Sequence, residues 1–133
     1  WSNWGGSVKL SGFYESLIEE LIEFAEHSFK LNVSDDKGTT EYEHLEQVER
    51  QTGHRPQALN GPQFPLLVSH IWSAFISLSN SRTAGFSGAN PLSYEQIKAW
   101  KDLTATPIST WEVEAIKRLD EVYMKVNNSN GWS

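Results

Sequence analysis

The sequence predicts an all-α domain, a small bundle of about five helices around one central apolar helix. Three observations predict it. Apolar residues recur at three- and four-residue spacing in several separate stretches. Three of those stretches open on a capping box, a hydroxyl followed three residues later by Glu or Gln: Thr40–Glu43, Ser93–Gln96 and Ser109–Glu112. Helix-stopping pairs, Asn90-Pro91 and Thr106-Pro107, stand between them.

From Ser11 the pattern turns helical. Tyr14, Leu17, Ile18, Leu21, Ile22, Ala25 and Phe29 fall on one face, with Glu15, Glu19, Glu23 and Glu26 away from its centre. This acidic amphipathic segment, residues 1–36, either lays its apolar face in a partner's groove or packs on the protein's own core, and base rates favour the core. Trp1–Gly6 reads as a flexible lead-in. The polar stretch Asn32–Thr39 marks a boundary and candidate hinge before a core domain of residues 37–126, so removing residues 1–36 is expected to leave a folded remainder. After the first capping box, Tyr42, Leu45 and Val48 give a short helix an apolar edge, and Gly53 sits where a C-terminal cap belongs.

The central helix is read over residues 64–80, with Pro65 at a first helical position. Leu67, Ile71, Ala74, Phe75 and Leu78 form its stripe, widened by Val68, Trp72 and Ile76. The glycine-rich stretch 82–90 is either a flexible connector or a partner contact. Tyr94, Ile97, Trp100 and Leu103 mark the next helix, and Val113, Ile116, Leu119, Tyr123 and Val126 the last. Helices are thus expected over about residues 11–30, 40–52, 64–80, 93–104 and 110–126, followed by a polar tail, 127–133. Leu67, Ile71, Phe75, Ile97, Ile116 and Leu119 are expected in the core.

The wording of the second half is informative beyond its periodicity. Glu43–Gly53, Trp72-Ser73-Ala74-Phe75 with Gly85-Phe86-Ser87-Gly88, Asn90–Trp100, Asp102-Leu103-Thr104 and Trp111–Asp120 together resemble, in one order and spacing, tail assembly chaperones of long-tailed bacteriophages. The likeness covers about residues 42–123 and falls in the C-terminal, extended region of that family. The family pattern favours Gly where this chain has Ala105, so a left-handed cap at that turn loses its usual residue. The resemblance implies a non-enzymatic protein that binds the tape measure protein, tail-tube subunits, or both. It implies action in the cytoplasm of the infected bacterium and absence from the mature virion.

Composition narrows the alternatives. The chain has 133 residues, no Cys, and a net charge of −6, which excludes disulfides and thiolate metal sites. Of that charge, −5 lies in residues 1–36 (two Lys, seven Asp/Glu) and −1 in residues 37–62, while residues 63–133 balance. That distribution speaks against a phosphate-binding surface. No apolar run approaches the roughly 18 residues of a membrane span, no charged-then-apolar leader is visible, and the chain opens on Trp1 rather than Met, so a cut fragment of a cytoplasmic protein is expected. The histidines His27, His44, His54 and His70 have no metal-ligand spacing, although Glu23 and His27 lie one helical turn apart. His70, inside the central helix, reads as a satisfied core residue rather than a general base. No cofactor is expected. The alternative function is a DNA-binding helix-turn-helix formed by the last two helices, whose second helix carries Glu112, Glu114, Asp120 and Glu121 against Lys117, Arg118 and Lys125.

Contact with a partner is assigned to aromatics the core does not absorb, Phe86 and Trp111 first, then Trp100, and on the acidic helix to Tyr14, Leu17 and Leu21.

Overall fold

The computed structural model describes residues 2–86 and 88–130, with residues 2–11 and 129–130 described by backbone alone. Five α-helices account for most of it: α1 (Ser2–Leu31), α2 (Glu41–Thr52), α3 (Ser69–Asn80), α4 (Tyr94–Thr104) and α5 (Thr110–Asn130). Between α3 and α4 a two-stranded antiparallel ribbon, β1 (Ala84–Gly85) and β2 (Gly88–Ala89), pairs Ala84 with Ala89 and Gly85 with Gly88. The all-α expectation holds.

The core is one cluster. Leu17, Ile18, Leu21, Ala25 and Phe29 enter from α1, Ile71, Ala74, Phe75 and Leu78 from α3, Ile97 from α4, and Ala115, Ile116, Leu119 and Val126 from α5. Each set follows its helix's three- and four-residue spacing, so amphipathic pattern becomes burial directly. Phe29, Trp72, Phe75 and Tyr123 add ring-to-ring contacts at 5.3–6.2 Å. The long helices α1 and α5 pack along one another, with α3 against α5 and touching α1 through its Trp72 and Phe75 rings. The apolar face of α1 is therefore spent on the protein's own core.

Several boundaries differ from the sequence reading. The helix α1 begins at Ser2, so the stretch read as a flexible lead-in is helical, apart from Trp1, which lies outside the described residues. At the other end α5 runs to Asn130, through much of the stretch read as a polar tail; residues 131–133 lie outside the described residues. The stretch 32–39 is a tight turn closed by a Ser34–Thr40 bridge, in which Asp35 accepts from the amides of Lys37 and Thr39 at 2.9 and 3.0 Å. Both halves of the predicted box close α2 at Thr40 and Glu43, and Gly53 caps it with φ +76°. That helix buries no residue: it rides on the periphery, with Tyr42 and Val48 exposed.

The central helix starts later than expected. Pro65 is extended (ψ 97°), and Leu66–Val68 form one 3-10 turn before α3. A turn of three residues does not continue the 3.6-residue stripe. Val68 is fully buried in consequence, while Leu66 and Leu67 are 78% and 68% exposed. Leu67 is thus not a core residue; Ile71, Phe75, Ile97, Ile116 and Leu119 are.

Candidate partner-binding surface

Among the described residues, two helices far apart in sequence make a partly exposed aromatic surface. Tyr14 projects from α1 and Trp111 from the first turn of α5. Their rings stack at 4.7 Å, and Phe13 meets Tyr14 edge-on at 5.7 Å. Phe13 is half exposed, Tyr14 is exposed and Trp111 half-buried. Beside the stack runs an open groove of about 460 Å³ between α1 and α5, lined by Tyr14, Ile18, Trp111 and Ala115 with Glu15, Glu114 and Arg118. Rings with one covered and one open face are what a protein interface uses as anchors. Glu112, one residue on, accepts from the Ser109 N–H at 2.9 Å, fixing the turn that presents Trp111.

Phe86 is presented differently. It stands fully exposed in the ribbon turn, and the base of that turn is clamped by a buried polar node. The Arg82 and Asp120 side chains, 5% and 4% exposed, meet at 2.6 Å between Nη1 and Oδ1. The contact is a charge pair rather than a well-directed hydrogen bond, since Asp120 Oδ1 has no hydrogen-bond partner among the described residues. Arg82 Nη1 donates to the Asn90 carbonyl at 2.9 Å, and the guanidinium lies 4.3 Å from the Tyr123 ring centre. The Leu92 N–H donates to Asp120 Oδ2 at 2.9 Å, and Lys117 Nζ donates to the Leu92 carbonyl at 2.6 Å. The glycine-rich stretch is thus tied at both ends to α5. It is not a free connector.

A family model described as phage tail assembly chaperone matches residues 48–125. The chain belongs to the phage tail assembly chaperone family. No curated protein and no solved structure matches it. The match runs from within α2 to within α5, close to the 42–123 over which the resemblance was read. It takes in Phe86, Trp100 and Trp111 but not α1. The groove therefore joins a helix of the family segment to one that lies outside it.

The remaining residues named from the chaperone's sequence divide. Trp100 is half-buried, its Nε1 donating to Ser77 Oγ at 3.0 Å, so it mainly ties α4 to α3. Leu17 and Leu21 face the core, Leu21 with no exposure at all. They are out of a partner's reach, because α5 and α3 already occupy the face they were assigned to. His70 corrects a different expectation: it is exposed and pairs with Glu112 Oε2 through Nε2. This pair edges a small groove of about 240 Å³ between α3 and the α4–α5 turn, lined by Ile71, Ala74, Ile108 and Ile116. Burial, the largest influence, pushes the Glu112 carboxyl up, but the Ser109 amide, the Ser109 hydroxyl and His70 together hold it below its usual value. At the other end of α1, Asp35 is lowered chiefly by its hydrogen bond from His44.

Sequence reasoning missed Phe13, which lies off the apolar stripe of α1, and the exposed Leu66 and Leu103. Arg82 and Asp120, separated by the ribbon, α4 and the first half of α5, gave no local signal. Among the described residues no group of three or more His, Asp or Glu is placed to hold a metal ion, and no helix is long and apolar enough to cross a membrane.

Proposed function

We propose that the chain serves phage tail assembly by holding an apolar helix of a tail component, foremost the tape measure protein, against the Phe13–Tyr14–Trp111 surface, and that it does so in the cytoplasm of the infected cell. Family membership supports a role in tail assembly. The observation that carries the binding reading is the stacked, half-open Tyr14–Trp111 pair at the groove between α1 and α5. Long apolar helices awaiting incorporation aggregate unless their faces are covered, and an aromatic groove covers such a face reversibly. Tail-tube subunits are the second partner this reading admits, with Phe86 on its clamped turn as a separate contact.

Nothing among the described residues favours the DNA-binding alternative. The helix that would enter the groove of DNA, α5, is packed along α1, and its exposed side chains include Glu114 and Glu121.

The test is co-purification with the tape measure protein. Trp111→Ala or Tyr14→Ala is expected to weaken it by about 1–2 kcal/mol each while helicity is kept. Undiminished binding by a folded double variant refutes this location of the site.

A further inference from the structure

The groove between α1 and α5 carries aromatic rings and uncompensated carboxylates together. Glu15 stands on the α1 wall and Glu114 on the α5 wall; both are exposed, and neither meets a cation among the described residues. Arg118, the cation in the lining, is engaged by Glu19, Nη2 to Oε1 at 2.6 Å. Glu15, Glu19 and Glu114 set against Arg118 leave the groove two charges negative. Glu20 and Glu23 continue the acidic face along α1.

We propose that the occupant of this groove is a cationic amphipathic helix. Its apolar side chains lie against Tyr14, Ile18 and Trp111, and Lys or Arg residues flanking them reach Glu15 and Glu114. This rests on the reading of the groove as a partner site and adds the partner's chemistry to it. Trp111 to Arg118 spans about 10 Å of α5, two helical turns, so apolar anchors about three to four residues apart fit the groove length. Tyr14 and Trp111 share the groove lining with the two carboxylates, and a cation passing over the ring face left open by their stack is attracted further. An acidic helix meets repulsion from both walls, and so does a nucleic-acid phosphate.

The full chain would be titrated with synthetic helical peptides of about 18 residues, roughly 27 Å long, sharing a leucine face and differing in an otherwise Lys, Gln or Glu face. At low salt the Lys peptide is expected to bind at least about tenfold more tightly than the Glu peptide, with the gap narrowing as salt rises. The double variant E15Q and E114Q, at two exposed positions, is expected to loosen the Lys peptide by about fivefold and leave the Gln peptide unchanged. The variant E20Q and E23Q, outside the groove, should do much less. Equal loss in that second variant would overturn the proposal in favour of diffuse attraction to an acidic protein. Equal binding of all three peptides, abolished by Trp111→Ala, would overturn the charge selection and leave the groove as a partner site. Peptide binding and tape measure co-purification both unaffected by Trp111→Ala would remove the partner site itself.

Discussion

Asp120→Ala is the most informative single perturbation of this fold. It takes away two things at once: the charge facing Arg82 at 2.6 Å and the acceptor for the Leu92 N–H at 2.9 Å. The Arg82 side chain is 5% exposed, so water cannot replace the lost carboxylate without opening the turn. Removing one member of a buried ion pair costs about 3–5 kcal/mol, a large share of the roughly 5–15 kcal/mol that stabilises a domain of this size. Asp120→Asn keeps an acceptor for the Leu92 N–H but turns an amide NH2 toward the Arg82 guanidinium and leaves that charge unpaired, so most of the cost should remain. Urea unfolding followed by circular dichroism gives both values, and a double-mutant cycle with Arg82→Met isolates the pair. The coupling should be at least about 1.5 kcal/mol, because the two side chains are in contact and shielded from solvent. If Asp120→Ala costs less than about 1 kcal/mol, the node is not the clamp of the 82–92 turn, and the fixed presentation of Phe86 falls with it.

Other expectations follow from single features. Ala105 sits at φ +53°, the left-handed cap of α4, in a conformation that costs an L-residue about 1–2 kcal/mol; Ala105→Gly should raise stability by about 1 kcal/mol in the same urea assay. Glu112 is held below its ordinary value of 4.5 in the folded chain, so its contribution is complete above that pH and is lost as pH falls through the folded value. Thermal melts should therefore show a steeper fall in Tm below pH 4.5 for the native chain than for Glu112→Gln. Removing residues 1–36 takes away Leu17, Ile18, Leu21 and Phe29 from the core. At about 2 kcal/mol each, that is about 8 kcal/mol, comparable to the whole net stability, so the remainder should lose its cooperative melt. A sharp transition from residues 37–133 would instead restore residues 1–36 as a detachable segment.

The sequence by itself determined the helices. The starts of α2 and α4 are written in local chemistry, since Thr40 with Glu43 and Ser93 with Gln96 close capping boxes within four residues, whereas those of α1 and α3 are not. Buried faces follow from spacing along one chain segment, as at Ile116 and Leu119. The family was legible too, because the words that carry it are contiguous runs in α2, α3, α4 and α5. The candidate site was half legible. Trp111 and Tyr14 were singled out separately, but only the packing of α5 along α1 stacks them at 4.7 Å and makes one surface of two residues. The same packing withdrew Leu17 and Leu21 from any partner, a choice between two coverings of one apolar face that periodicity cannot make. Leu67 went the other way, because a 3-10 turn broke the stripe's phase. Ala105 took the left-handed cap without glycine because Pro107, two residues on, cannot continue the helix, and the short link must turn the chain into α5. The Arg82–Asp120 pair had no sequence signal at all: each is an ordinary charged residue until the fold removes water from around both. Local interactions decide which segments are helical, whereas burial depends on what the rest of the chain brings to each face, and the candidate surface is what remains uncovered once those faces are assigned.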